Sequence, residues 1–185
     1  MRLRNGLMIG SVGAVLTLTA GVAQGAGAAG ADVATVLRNL HAANQMEIAA
    51  GKLAKEKGQT VEIQAFGATL VADHTAADKK VVALAAEKGI ELPAEAATLP
   101  AEKRDMRALS AARGAAFDEL FAAEMLEDHQ KVLAAAKAAR DQTSDTKLKT
   151  LLEVTIPVLE AHQQTSQALV DLLGPSAIAA AKRRR

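Results

Sequence analysis

The stretch Phe66-Gly67-Ala68-Thr69-Leu70-Val71-Ala72-Asp73-His74 is answered further along the chain by Phe121-Ala122-Ala123-Glu124-Met125-Leu126-Glu127-Asp128-His129, with Phe, Asp and His at the same spacing. Around the first, Phe66, Leu70, His74, Ala77, Val81 and Leu84 recur at steps of three and four, the interval that lines residues up on one face of an α-helix. Around the second, Asp118, Phe121, Met125, His129, Val132 and Ala136 do the same. Both stretches therefore read as helices whose apolar stripe a histidine interrupts near its middle. Two helices sharing a motif can face each other about a pseudo-two-fold axis, although alanine-rich helices also come to resemble one another by chance. Two more stripes lie outward of these. One runs Val33, Leu37, Leu40, Asn44, Glu47, Gly51, Ala54, and the other Leu148, Leu152, Thr155, Leu159, His162, Ser166, Leu169, Leu173.

Start and stop signals divide the chain into four long helices. The first takes Asp32 as N-cap and runs to about Lys57, with Gly58 expected as a left-handed stop. The second runs from near Thr60 through Lys88 to Gly89. The segment from Ile90 to Gly114 carries Pro93, Pro100 and a short helical stretch around Ala101 to Leu109, and reads as a connection. The third helix spans about Ala115 to Arg140, and Gln142-Thr143-Ser144-Asp145 turns the chain into the fourth, which Gly174-Pro175 ends after Leu173. Short turns make the first and second helices, and the third and fourth, antiparallel pairs. The connection between second and third, about 25 residues, can traverse a helix, because an extended chain advances over ~3 Å per residue against ~1.5 Å in a helix. Those two can then run parallel; an up-down-up-down order is the alternative. Pro157 removes a donor in the fourth helix and predicts a kink just before His162.

The helix midpoints fall near Gln45, His74, Asp128 and Leu159, which places Glu47, His74, His129 and His162 in one layer. Burying four unpaired polar groups costs several kcal/mol, so the fold must satisfy them. One divalent transition metal, Zn, Cu or Fe, held by Glu47, His74, His129 and His162 would do so, since imidazole suits such ions. A mutual hydrogen-bond network with a buried water is the other arrangement. Asp73 and Asp128 each point ~100° away from the histidine that follows. They are candidates either to orient a histidine of a neighbouring helix from behind or to lie on a solvated face. Asp118 is inward but more than two turns from His129, a separate polar core residue, and His41, off the stripe beside Leu40, is expected at the surface. Met46, Met106 and Met125 are too scattered for a copper-handling motif.

The chain has 185 residues, 50% of them hydrophobic, which suits one domain. Its core is aliphatic: Trp and Tyr are absent, and the phenylalanines are Phe66, Phe117 and Phe121. Zero cysteines excludes disulfides, thiolate metal sites, iron–sulfur clusters and covalently attached haem. Residues 1–28 are expected to be a signal peptide, with Arg2 and Arg4 before an apolar run from Leu7 to Ala20 and a small-residue cleavage site at Ala26-Gly27-Ala28. That run falls short of the ~20 residues a membrane anchor needs. Residues 29–174 are expected to fold, and 175–185 to form a basic tail ending in Lys182-Arg183-Arg184-Arg185. Removing Arg2 and Arg4 turns the net charge of +1 negative, so the folded body is acidic. The tail is a solvated end or a contact for anionic envelope components. Nucleic acid is not expected as a partner of an exported, acidic body without stacking aromatics.

Several of these residues together resemble a known family. Glu47-Ile48 with Gly51-Lys52-Leu53-Ala54, Val61 through Phe66 to Asp73-His74-Thr75, Phe117-Asp118 to His129, and Ile156-Pro157-Val158-Leu159 to His162 resemble the secreted bacterial family of domain of unknown function 4142, over roughly residues 32 to 173. Its members are often catalogued as outer membrane proteins. The resemblance implies an all-α, ferritin-like four-helix bundle outside the cytoplasm, with a long crossover from second to third helix carrying a short helix. It implies no established reaction. The catalogue name does not mean a β-barrel, because alternating strands are lacking. A di-iron site wants Glu-x-x-His on two helices, whereas Val71, Leu126 and Leu159 stand three before His74, His129 and His162. Ferroxidase chemistry is therefore not expected. The leading expectation is a periplasmic or envelope-associated binding or interaction protein, non-enzymatic, whose central Glu/His layer is either a hydrogen-bond network or a site for one divalent metal ion. A mononuclear metalloenzyme or redox protein using that layer is the alternative. A b-type haem bundle is a third, opposed by the little apolar room left for a porphyrin.

Overall fold

Helix starts follow their caps. Asp32 accepts from the Thr35 amide, Thr60 from that of Ile63 and Asp145 from that of Leu148, each satisfying an amide that the first turn leaves without a partner. In the computed structural model, which describes residues 32–93 and 100–174, the chain is all-α. The elements are α1 (Val33–Lys57), α2 (Val61–Glu87), the short α3 (Pro100–Ala111), α4 (Ala115–Gln142) and α5 (Thr146–Leu173). The expected signal peptide and basic tail lie outside the described residues.

Glycines set the tightest packing. A Cβ on Gly51 of α1 would lie 2.7 Å from the carbonyl oxygen of Gly67 on α2, and one on Gly67 would lie 2.6 Å from the Ala54 Cβ. The two backbones thus touch. Gly58 corrects an expectation: it ends α1 with φ −53° and ψ 134°, not in the left-handed region. Space rather than dihedral freedom selects glycine there, because a Cβ would meet the Ala54 carbonyl oxygen at 2.7 Å and the Ile63 side chain at 2.8 Å. The kink expected at Pro157 does not end the fourth long helix; α5 runs through it without a break.

Contacts give the helix directions. His41 meets Asp78 and Asn44 meets His74, so α1 and α2 run antiparallel. His129 meets His162 and Lys137 meets Glu160, which makes α4 and α5 antiparallel. Asp73 pairs with His162 and Lys88 with Asp145, which does the same for α2 and α5. At one end of the bundle, the buried Asp118 carboxylate on α4 accepts from the amides of Gln59 (3.0 Å) and Thr60 (3.2 Å), tying the α1–α2 turn to α4.

The core is divided in two. One apolar cluster contains Ile63, Phe66, Leu70, Phe117, Phe121 and Leu169, and the other contains Leu37, Val81, Leu133, Leu148, Leu152 and Leu159. Between them along each long helix lie the buried polar residues: Asn44 and Glu47 on α1, His74 and Asp78 on α2, His129 on α4, His162 and Ser166 on α5. A polar waist thus separates two apolar halves.

Candidate metal centre

The three histidines of the waist stand against one another. Ring centroids are 5.7 Å apart for His74 and His129, 5.2 Å for His74 and His162, and 5.2 Å for His129 and His162. Each offers one ring nitrogen, and these three nitrogens lie within 4.8 Å of one another. The repeated motif meets like for like: Phe66 packs on Phe121 at 6.0 Å in the same way that His74 stands on His129.

Hydrogen bonds decide which nitrogen of each ring carries a proton. His129 Nδ1–H donates to the Met125 carbonyl at 2.8 Å, which leaves Nε2 with its lone pair. His162 Nε2–H donates to the Asp73 carboxylate at 2.9 Å, which leaves Nδ1 bare. For His74 the argument passes through Asn44. The Asp78 carboxylate accepts from Gln45 (2.7 Å) and His41 (2.8 Å), and the Asn44 amide nitrogen faces it at 3.5 Å. Since a carboxylate only accepts, the Asn44 amide group points there and its Oδ1 must face His74. His74 Nδ1–H then donates to Asn44 Oδ1 at 2.9 Å, and Nε2, fully buried, has no partner.

With all three rings neutral, three lone pairs share one space and no proton joins them. His129 Nε2 and His162 Nδ1 approach to 3.3 Å. A shared proton would need one imidazole to be cationic. Burial, aided by the neighbouring histidines, holds His74 down to about 3, and burial likewise holds His129 down to about 4. At neutral pH neither takes that proton. Two nitrogens bound to one tetrahedral ion at ~2.0–2.1 Å stand ~3.3–3.4 Å apart, the separation His129 and His162 already show. The donor set, three imidazoles each braced by an acceptor, fits a borderline ion such as Zn, Cu or Fe.

Glu47 stands differently from the histidines. Its Oε1 lies 3.7 Å from Nδ1 of His129, the nitrogen already bonded to Met125, and its Oε2 has no hydrogen-bond partner. Burial, with the Asp128 carboxylate as a lesser cause, pushes its carboxyl well above the usual range, which favours the neutral form. The geometry groups His74, His129 and His162 and leaves Glu47 behind His129. Asp73 braces His162, and Asp128 acts on Glu47 through its charge.

The expectation of a surface His41 is wrong. His41 is 8% exposed, and both of its nitrogens face oxygens, Nδ1 that of Asp78 and Nε2 the Pro93 carbonyl at 3.2 Å. It shares with Asn44 a line three residues apart on α1, and Asp78 stands one turn from His74 on α2, so matching these two lines was the signal available. Asn44, placed on the stripe without a role, is the bridge between His74 and that pair.

Comparison with known proteins adds a family and no chemistry. No curated protein matches the chain, and neither does any solved structure. The model of a domain of unknown function, DUF4142, matches residues 18–169, from the expected leader to the last turn of α5. With most of its length inside that match, the chain belongs to the DUF4142 family.

Proposed function

We propose that this protein is an exported, envelope-associated metal-binding protein that holds one divalent transition metal on His74 Nε2, His129 Nε2 and His162 Nδ1, in a ferritin-like bundle. The observation that carries the reading is the set of three bare imidazole nitrogens, each with its other nitrogen committed to an acceptor. A hydrogen-bond network needs donors facing acceptors, and with the rings neutral the nitrogens of His129 and His162 face each other as acceptors. Leaving His74 Nε2 buried and unpaired costs about 1–3 kcal/mol, which a bound ion removes. Glu47 is not a ligand in this reading. Its carboxyl stands behind His129, 3.7 Å from the ring nitrogen that faces the Met125 carbonyl.

The ferritin-like arrangement is supported by the pairing of Phe66 with Phe121 and His74 with His129, which makes α2 and α4 advance in the same direction. That leaves the segment from Gly89 to Gly114, with α3 inside it, as the crossover. Export is supported by Arg2, Arg4 and the apolar run before Ala26-Gly27-Ala28. Among the described residues no helix is long and apolar enough to cross a membrane. The contact this reading assigns to anionic envelope components is the basic tail ending in Lys182-Arg183-Arg184-Arg185, on the ground of its charge.

Metal analysis with calorimetric titration tests it. Purified protein should take up one zinc ion per chain, His129→Ala should lose that binding, and Glu47→Gln should retain it. Equal weak binding by wild type and His129→Ala, with normal stability after chelation, would overturn the metal site.

A further inference from the structure

The exposed surface of α5 is itself divided into a polar and an apolar part. Val154, Val158, Ala161, Thr165, Ala168 and Leu172 follow one another at steps of four and three, so at ~3.6 residues per turn they fall within ~40° of one line along the helix. All six are exposed. Val154, Val158 and Leu172 are open to 47%, 36% and 63%, and no other helix carries so many exposed large apolar side chains among the described residues. The polar residues of the same surface, Gln164, Gln167 and Asp171, turn towards α4 and share a groove with its Lys137. On its other side the apolar stripe borders α2, where Glu62, Ala65, Thr69, Ala76 and Lys80 line the junction. Single exposed apolar residues are ordinary, but a continuous stripe at this interval is what a helix presents to another helix.

We propose that this face is the interface of a two-fold symmetric dimer, in which α5 lies antiparallel on α5 of a second copy and α2 on α2. The stripe is self-complementary. Turned about an axis level with Gln163, it sets Val154 of one copy against Leu172 of the other, Val158 against Ala168, and Ala161 against Thr165. The small pair lies at the centre, where two crossing helices approach most closely. Charge agrees with the same axis. Glu62 and Lys80 are both exposed and stand on one line of α2, ~5 turns apart and equidistant from Val71. The contacts of Asp73 with His162 and of Lys88 with Asp145 put Val71 level with Gln163 to within about one residue. One axis therefore serves both helices, and it sets Glu62 of each copy opposite Lys80 of the other. Area agrees as well. From Val61 to Ala83 the face is ~34 Å long, and two helices ~9 Å apart make it ~20 Å wide, hence ~700 Å² per copy. A stable interface of standard size buries about 800 Å² per partner. The contact needs no metal in the waist.

Sedimentation equilibrium on the exported chain reads the dimer directly, as a mass that rises to twice that of one chain with concentration. Val158→Asp should raise the dissociation constant by at least about ten-fold, because the contact would then bury an unpaired charge from each copy. Should that variant fail to fold, Leu172→Lys makes the same test at the more exposed end of the stripe. Gln167→Ala, on the side towards α4, should leave the dimer unchanged. Charge reversal tests the register. Lys80→Glu alone should weaken the dimer by roughly three- to ten-fold, since two exposed pairs are lost, and adding Glu62→Lys should restore it. A single-chain mass at every concentration, whether or not the protein binds vesicles of anionic lipid, would overturn the dimer. So would a dimer indifferent to Val158→Asp and Leu172→Lys, or a charge reversal that the second substitution does not repair.

Discussion

Asn44 is the residue on which the tautomer of His74 turns. Its amide nitrogen is committed to the Asp78 carboxylate, so its oxygen faces His74 Nδ1 and leaves Nε2 free to bind. Such bracing groups behind a ligand are typically worth 10–100-fold in metal affinity. Asn44→Ala should therefore weaken zinc by about that factor while the helices persist, because Asp78 keeps its bonds from His41 and Gln45. Calorimetry on the two proteins decides it, and wild-type affinity in Asn44→Ala would reduce Asn44 to core filling. At this scale the sequence was legible where phase alone settles the matter. His74, His129 and His162 lie in line with the apolar residues of regular, unbroken helices, so 3.6-residue periodicity aims them inward without further information. His41 failed for the converse reason. Periodicity assigned the inward place to Leu40 beside it, and the carboxylate that draws His41 in belongs to another helix.

Between elements, backbone contact between α1 and α2 brings His74 and Asn44 within hydrogen-bond reach. Gly51→Ala adds a Cβ 2.7 Å from the Gly67 carbonyl oxygen, and that oxygen is backbone and cannot swing aside. Alanine gains about 1 kcal/mol of helix propensity over glycine, whereas overpacking of this kind costs about 1–3 kcal/mol. The cost wins here because the oxygen that the new Cβ meets is main chain. We expect a net loss of up to about 2 kcal/mol, which is up to ~8 °C in melting temperature for a chain of this length. A melting temperature raised by Gly51→Ala would mean that the helices part easily and that their contact holds nothing in place. The elements themselves were largely readable, since Asp32, Thr60 and Asp145 start helices where cap chemistry puts them. Gly58 was misread because a helix-ending glycine commonly signals a left-handed turn. Here the reason is the Ile63 side chain and the Ala54 carbonyl crowding the site, and neither is visible before α2 has folded back.

For the whole molecule, the polar waist makes stability depend on pH, and the sign can be worked out. His74 and His129 drop from 6.5 to about 3 and about 4 on folding, so between those limits the unfolded chain binds protons that the folded one refuses. Their contribution is fully present above about 6.5 and is lost as pH falls towards 4. Glu47 acts in the opposite direction. With its folded value raised well above 4.5, it keeps a proton that the unfolded chain releases, so its contribution is complete below 4.5 and is lost as pH rises through the folded value. Between pH 6.5 and 4.5 two histidines oppose one glutamate, and the metal-free protein should lose stability on acidification at up to about 1.4 kcal/mol per pH unit for the net proton. Glu47→Gln removes the opposing group and leaves the histidines, so the decline should steepen. Thermal melts of both metal-free proteins at intervals from pH 7 to 4.5 read this directly. A flat profile would show that the histidines titrate freely in the fold, and parallel profiles in the two proteins would show that Glu47 does not hold its proton. The inward phase of all four residues was visible in the sequence. Which of them gathers to a point, and which stands behind holding a proton, depended on side-chain direction across helices and emerged only with the packed bundle.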